Sequence, residues 1–327
     1  MPPLSAAARR ALLHPNTDAR TLGEVVVSDH RYIQAAEKKS WRFHINRTGF
    51  NLEDFIQLRA VTLEPGKAAH VYAVTRPGAA RFIDLIDVIS VAKGSSIPWV
   101  RESSAPEDLE PAAGTPWGAA LPDLEAVFER DDRDTIRFGI SAKVPADLLE
   151  VPQLLARFID TVMQRQFRIG LEADVLAGDG SSTPTTKHLT GITQTAGVTS
   201  TGVGGDLLAA IVHAVAVLTG RGYQPLVGVV NPGDLETLRT TDPAALASTL
   251  DTMPELEALM PSNGLAPGTT VVGDAHQGVA IARRGDLNAA FSTENDADFI
   301  EYRASIRLQA EVEALIEPRA WVVITGP

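Results

Sequence analysis

Cysteine is absent from the 327 residues, which excludes a disulfide framework, a thiolate nucleophile and a cysteine-ligated zinc site. Stability therefore rests on packing and association. The seven histidines, His188 and His213 among them, never pair at ligand spacing and read as surface or capped core residues. No phosphate loop ending in Gly-Lys-Ser occurs. Gly202-Val203-Gly204-Gly205 lacks the preceding strand and the full spacing of a dinucleotide loop, and reads as a flexible linker. Gly178-Asp179-Gly180-Ser181-Ser182 offers one carboxylate, far short of the oxygens a calcium loop gathers, and reads as a turn. The neighbouring acids Glu53-Asp54 and Asp131-Asp132 point apart on either regular structure, so solvated faces are expected there. Long apolar runs are missing as well. Leu207 to Thr219, the most apolar stretch, is interrupted by His213 and falls short of the roughly 20 residues that cross a bilayer. Met1 to Leu13 has no apolar core of signal-peptide length. The chain reads as soluble, with no catalytic residue, cofactor-binding residue or metal ligand in its motifs.

What is present is enough apolar material, 44%, to bury a substantial core divided into two or more lobes. The net charge of −12 is unevenly spread. Residues 1 to 81 carry twelve Lys or Arg against seven Asp or Glu, a net +5, which leaves −17 for the remainder. A basic first quarter could lie across the acidic body of a neighbouring copy, face nucleic acid, or be a scatter of solvated charges. An acidic whole argues against tight sequence-independent DNA binding, which depends on neutralising phosphates.

Near the end, Phe299 to Ala314 alternates in character. Ile300, Tyr302, Ala304, Ile306, Leu308, Ala310, Val312 and Ala314 fall on one side, and Glu301, Arg303, Ser305, Arg307, Gln309, Glu311 and Glu313 on the other. This is the pattern of a strand with one buried face. At about 3.3 Å per residue it would run about 50 Å, well beyond the usual globular strand. Two strands joined by a bulge, or a helix rich in Arg and Glu, are the alternatives.

The first 80 residues mix a short helical piece, Leu4 to Leu13, with strand-like runs such as Glu24 to Val27 and frequent turn formers, and read as an extended arm. Arg81 to Val91 is a strand-like run. Trp99 to Glu102 is extended, and a segment rich in Ser, Pro, Ala, Gly and acid follows from Ser103 to Pro122. Leu124 to Val127 and Thr135 to Val144 return as strands, which makes a long hairpin with a projecting tip. The clearest helix spans Pro152 to Leu176, with Leu155, Ile159, Val162, Ile169, Ala173 and Leu176 on one stripe and Gln166 as its polar member. Gly178-Asp179-Gly180 ends it. A second lobe begins near Gly205. Asp206 caps a helix over Leu207 to Leu218, Pro225 to Val230 is a buried strand, and helices follow near Asp234 to Arg239 and Pro243 to Leu250. Thr269 to Val272, Gly278 to Arg283, Leu287 to Phe291 and Trp321 to Thr325 are short strands. Without a regular βαβ repeat, the fold class is α+β.

The order of these features resembles the major capsid proteins of tailed bacteriophages, the Hong Kong 97-type fold, over roughly residues 21 to 326. The carrying residues are Thr21-Leu22-Gly23-Glu24-Val25-Val26 with Ser28, Phe82-Ile83-Asp84-Leu85, and Ile97-Pro98-Trp99-Val100-Arg101-Glu102. Glu172-Ala173-Asp174-Val175-Leu176-Ala177-Gly178-Asp179-Gly180, Leu189-Thr190-Gly191-Ile192, Val229-Val230-Asn231-Pro232, Val272-Gly273-Asp274 and Glu317-Pro318-Arg319-Ala320 complete the series. The resemblance implies an N-terminal arm (1–80), an extended hairpin loop (92–134), a peripheral domain (81–91, 135–200 and 292–327) and an axial domain (201–291). It implies a structural, non-enzymatic protein that self-assembles into pentamers and hexamers, and then into an icosahedral shell enclosing double-stranded DNA without reading its sequence. Assembly would take place in the host cytoplasm, with a portal and a possible decoration protein as partners and no membrane.

Two departures from the family pattern carry expectations. Some members join subunits through an isopeptide bond between a loop-tip lysine and an asparagine, helped by a glutamate. Here no lysine lies between Lys93 and Lys143, Leu121 stands near the loop position, and Tyr302 and Gln309 stand where the asparagine and glutamate are expected, so no such crosslink should form. Some members also carry a scaffolding segment of about a hundred residues, whereas about 20 precede Thr21, so a separate scaffolding protein is expected unless the chain is a processed form. An encapsulin-like compartment holding an enzyme cargo, and a monomeric or dimeric α+β enzyme, are the competing readings.

Overall fold

The computed structural model describes residues 26–38, 43–45, 81–91, 97–102, 128–145, 147–183, 186–202, 204, 206–224, 226–241, 243–294 and 303–326. In chain order the elements are α1 (His30–Lys38), β1 (Phe43–Ile45), β2 (Asp87–Val91), β3 (Ile97–Glu102), β4 (Phe128–Arg133), β5 (Ile136–Pro145) and α2 (Asp147–Glu150). Then come α3 (Pro152–Phe158) and α4 (Gln164–Ala177), joined by a π turn over Ile159–Met163. The rest are β6 (Thr199–Gly202), α5 (Leu207–Gly220), β7 (Leu226–Val230), α6 (Pro232–Thr241), α7 (Pro243–Thr252), β8 (Leu256–Pro261), β9 (Thr269–Gly273), β10 (Val279–Glu294), β11 (Arg303–Ile316) and β12 (Trp321–Thr325). Most of the expected N-terminal arm, the hairpin tip and residues 299–302 lie outside the described residues. The chain forms two compact units, one from Met1–Asp84, Arg137–Leu171 and Gly285–Glu311, the other from Leu85–Ile136, Glu172–Arg284 and Val312–Pro327.

The first unit is a sheet with a helix on it. β1, β10, β11 and β5 lie in that order, and Phe43 opposes Phe291 in the antiparallel β1–β10 pair. The 14 residues of β11 span about 45 Å at the usual rise. Ile306, Leu308 and Ala310 are buried while Arg307 and Glu311 are exposed, as the alternation predicts. Leu155, Ile159, Met163, Phe167 and Leu171 are buried at intervals of four along the helix, and Phe167 meets Phe138 of β5 edge-on with ring centroids 5.2 Å apart.

That stripe differs from the expected one. Val162 is 38% exposed, and Ile169 and Ala173 are only half-buried. The cause is the π turn, where the N–H of Gln164 reaches Ile159 O across five residues. The wider turn takes up about one extra residue, so the buried face moves from 162 to 163 and Gln166 turns to solvent.

β10 departs from expectation too. Gly278 to Arg283 and Leu287 to Phe291 are not two short strands but parts of one strand of 16 residues. Gly285 carries φ 71° inside it, a left-handed backbone that only glycine adopts without strain. A glycine kink within a strand and a turn between two strands share the same local signal, Gly-Asp. In Arg81 to Val91 the first half is a single helical turn, Phe82–Asp84, closed by the Asp84 carboxylate accepting from Arg81 N at 2.9 Å. Strand pairing begins only at Asp87.

The second unit holds a mixed five-stranded sheet, ordered β6-β12-β9-β7-β8. β12 runs parallel to β6 and antiparallel to β9, so Trp321–Thr325 takes a place in this sheet from outside 201–291. All five residues of β7 are buried, as an apolar run covered on both faces should be. Asp206 caps α5, its carboxylate accepting from Leu208 N and Ala209 N. Ile211, Ala214 and Leu218 of α5 pack against Leu226, Val272, Val322 and Ile324. β3 pairs with β4, Ile97 opposite Arg133 and Glu102 opposite Phe128, so the hairpin returns at Phe128–Arg133 and not in the two expected runs: Leu124 to Val127 lies outside the described residues, and Thr135 to Val144 falls in β5, which pairs with β11 in the other sheet.

Candidate functional site

The second unit has a cavity of about 290 Å³ lined by Ala177, Thr193, Gln194, Val198, Ser200, Leu265, Ala266, Thr269, Val323 and Thr325. No acid, base or charged group stands in this lining, so it has nothing with which to move a proton. Among the described residues no cluster of three or more His, Asp or Glu is arranged to hold a metal ion, and no helix is long and apolar enough to cross a membrane.

The residues weighed from the sequence fall into separate places. Asp179 lies in a turn, its carboxylate accepting from Ser181 N at 2.9 Å, and hydrogen bonding from the Ser181 hydroxyl, together with that N–H, holds its carboxyl below the usual range. His188 Nδ1 stands 3.0 Å from Asp174 Oδ1, and this bond together with the carboxylate's charge raises the imidazole above its ordinary value. The pair joins the end of α4 to the strap Asp179–Thr190, whose ends bridge each other as do Ser182 and Lys187. His213 is exposed on α5. Asp131 and Asp132 point apart as expected, but each has a cation: Asp131 meets Arg133 at 2.7 Å, and Asp132 meets Arg130 at 3.0 Å. Glu53, Asp54, Lys93, Leu121 and Tyr302 lie outside the described residues, while Gln309 is half-buried on β11.

Two features were missed in the sequence. The first is an apolar stripe on the outer side of the helix in the first unit, where Val151 is 43%, Leu154 51% and Val162 38% exposed. Exposed apolar side chains at helical spacing suit contact with another chain. The signal for it is the π turn, which leaves Val162 on the side away from the core, and sequence periodicity does not register such a turn. Ile89 and Val100 are similarly exposed in the second unit.

The second is Glu313, assigned by alternation to the polar side of β11, yet only 6% exposed. Leu315, on the same side, packs with Ile97, Ala282, Val91 and Trp99. Since Ile97 is opposite Arg133, the hairpin base covers this stretch. Burial pushes the Glu313 carboxyl up to about 7 despite the pull of Arg133 and Lys187. No hydrogen bond or ion pair to another described residue holds it.

No curated protein matches the chain. Among solved structures it is similar to the capsid of a native GTA particle, at 16% identity, TM-score 0.52, over 81% of this chain and 95% of the other. It is similar to the satellite phage P4 procapsid that includes the size determination protein, at 11% identity, TM-score 0.52, over 75% and 94%. It is also similar to a structure from Mycobacterium phage Adephagia, at 13% identity, TM-score 0.51, over 79% and 95%. These likenesses show a Hong Kong 97-type fold. The model of the phage capsid family matches residues 80–314, and with it the chain belongs to that family, as a structural protein of the virion capsid.

Proposed function

We propose that this chain is the subunit from which pentamers and hexamers are built, that these close into an icosahedral shell around double-stranded DNA, and that the protein catalyses no reaction. The observation that carries the reading is the family match over residues 80–314. The charge-free cavity lining and the exposed stripe at Val151, Leu154 and Val162 support it. A shell needs no active site. It holds when many modest interfaces close on one another, so that losing one subunit breaks several at once.

In this reading residues 1–80 are an arm, 92–134 an extended loop, 81–91, 135–200 and 292–327 the peripheral domain, and 201–291 the axial domain. The loop segment 103–127 carries Glu107, Asp108, Glu110, Asp123 and Glu125 with no Lys or Arg, which suits contact with a basic surface. Assembly uses a separate scaffolding protein and a portal, and a decoration protein is a further candidate partner. Subunits associate without a lysine–asparagine isopeptide bond, since 94–142 contains no lysine. Boiled, denatured particles should run near 34.8 kDa on electrophoresis, and a covalent ladder would overturn that part. The family match favours a genome over an enzyme cargo. Nuclease-protected DNA in particles from infected cells supports this reading, and shells that hold a protein cargo and no nucleic acid refute it.

A further inference from the structure

We propose that the strap Asp179–Thr190 is a pH-gated flap: a protonated His188 locks its outer part onto Asp174 at the end of α4, and loss of that proton loosens it about a base that stays packed. The lock is visible in the hydrogen bonds. One carboxylate grips the return leg twice, Asp174 Oδ1 standing 3.0 Å from His188 Nδ1 and Oδ2 accepting from Leu189 N at 3.4 Å. The base is fixed by close packing instead. Leu189 is buried, and Gly191 N donates to Gly178 O at 2.7 Å. A Cβ on Gly191 would stand 2.7 Å from Asp174 O, and one on Gly178 2.6 Å from the same atom. Beyond the base, Ser181, Ser182, Thr183, Thr186, Lys187 and His188 are exposed, so burial does little to hold this part and the tie to Asp174 matters there. His188 N also donates to Ser181 O at 3.0 Å, so loosening His188 loosens the pairing of the two legs.

Few charged groups surround the ring. Asp174 faces it from α4. Asp179, at the foot of the outgoing leg, pairs with Thr190 two positions beyond His188, and Lys187, next to His188 in the chain, pairs with Ser182. Asp179 is engaged with Ser181 N, and Lys187 is within electrostatic reach of Glu313 on β11. Elsewhere on α4, Glu172 turns inward to Ser262 Oγ and Arg168 to Asp84, while Arg165 stands nine residues before Asp174. The carboxylate at hydrogen-bond distance favours the imidazolium, in agreement with the raised imidazole. The sign follows from linkage. A histidine that ionises near 6.5 when unfolded keeps its proton to higher pH in the strap, so the extra hold is complete below 6.5 and is lost as pH rises through the native value. A neutral imidazole retains at most an ordinary hydrogen bond to Asp174, weaker than a charge-assisted one. The side chains are partly exposed, 44% at His188 and 14% at Asp174, so the effect is local and leaves the melting of the chain nearly unchanged. In a shell the strap would stay on its own subunit in acid and be free to follow a neighbour above the transition. That consequence rests on the proposed function, while the titration itself does not.

The test uses the full chain in whatever assembly state it adopts. The His188 ring is titrated through the pH dependence of its C2 hydrogen exchange, read by mass spectrometry, in the wild type and Asp174→Asn. Amide exchange of residues 180–189, corrected for intrinsic rates, is followed from pH 5.5 to 8.5 in the wild type and His188→Gln, with α5 as internal control. The ring midpoint should lie above 6.5 in the wild type and drop in Asp174→Asn. Strap exchange should rise roughly threefold across the range in the wild type and stay flat in His188→Gln, while α5 stays flat in both. A wild-type midpoint at or below 6.5, a flat wild-type strap, or the same rise in His188→Gln would overturn the flap. If His188→Gln does not fold, the wild type alone decides: ring titration and strap exchange should share one midpoint, and separate midpoints overturn the proposal. A chain that never forms particles would defeat the shell reading and leave these measurements intact, so the two failures are distinguishable.

Discussion

At the scale of single residues, the tightest constraint is at Gly273. A Cβ there would stand 2.1 Å from Trp321 Cε3 and 2.4 Å from Ala320 O. Trp321 cannot retreat, because it is fully buried and its indole N–H donates to Gly278 O at 2.8 Å. Gly273→Ala should therefore destabilise by about 1–3 kcal/mol, the usual effect of overpacking a filled core, and thermal melting of the purified chain measures it. Asp206 offers a milder case. Asp206→Ala removes the acceptor for Leu208 N and Ala209 N and should cost about 1 kcal/mol. The two differ in how openly the sequence displays them. An Asp before an apolar helical run announces a cap, whereas nothing around Gly273 shows that a tryptophan some fifty positions later lies against it.

At the scale of elements, the helix of the first unit tests where the π turn places its buried face. Met163 is fully buried and Val162 is 38% exposed. Met163→Ala should cost about 2–5 kcal/mol, while Val162→Ala should stay within about 0.5 kcal/mol. The reverse order in a denaturant titration would return the face to the regular period. Elements whose period survives to the structure were legible: β11 through its alternation and α5 through its cap, while the hairpin showed only in its first strand, since its return at Phe128–Arg133 is a charged run without apolar alternation. What escaped was each place where the local period breaks. The π turn shifts the helix stripe, Gly285 kinks β10 without ending it, and the pairing of β12 with β6 and β9 is a long-range event with no local mark. Glu313 escaped for a related reason. Alternation places it opposite the core, and only the hairpin packed over Leu315 makes that side a second interior.

At the scale of the whole molecule, the chain offers surfaces and no reaction centre that its described residues reveal. Leu154, half exposed at 51%, is the clearest place to separate folding from association. Leu154→Glu should leave thermal stability within about 0.5 kcal/mol while reducing particle yield severalfold, since a charge in an apolar contact must be desolvated. Unchanged particle yield would remove the stripe from the assembly surface. Enclosure by copies of this chain is the step on which the proposed role turns. Negative-stain electron microscopy of the purified full-length protein, prepared with and without its scaffolding partner, tests it most directly. Closed, uniform shells built from five- and six-membered clusters are expected; a population that stays monomeric or dimeric at high concentration under both conditions would refute the shell role.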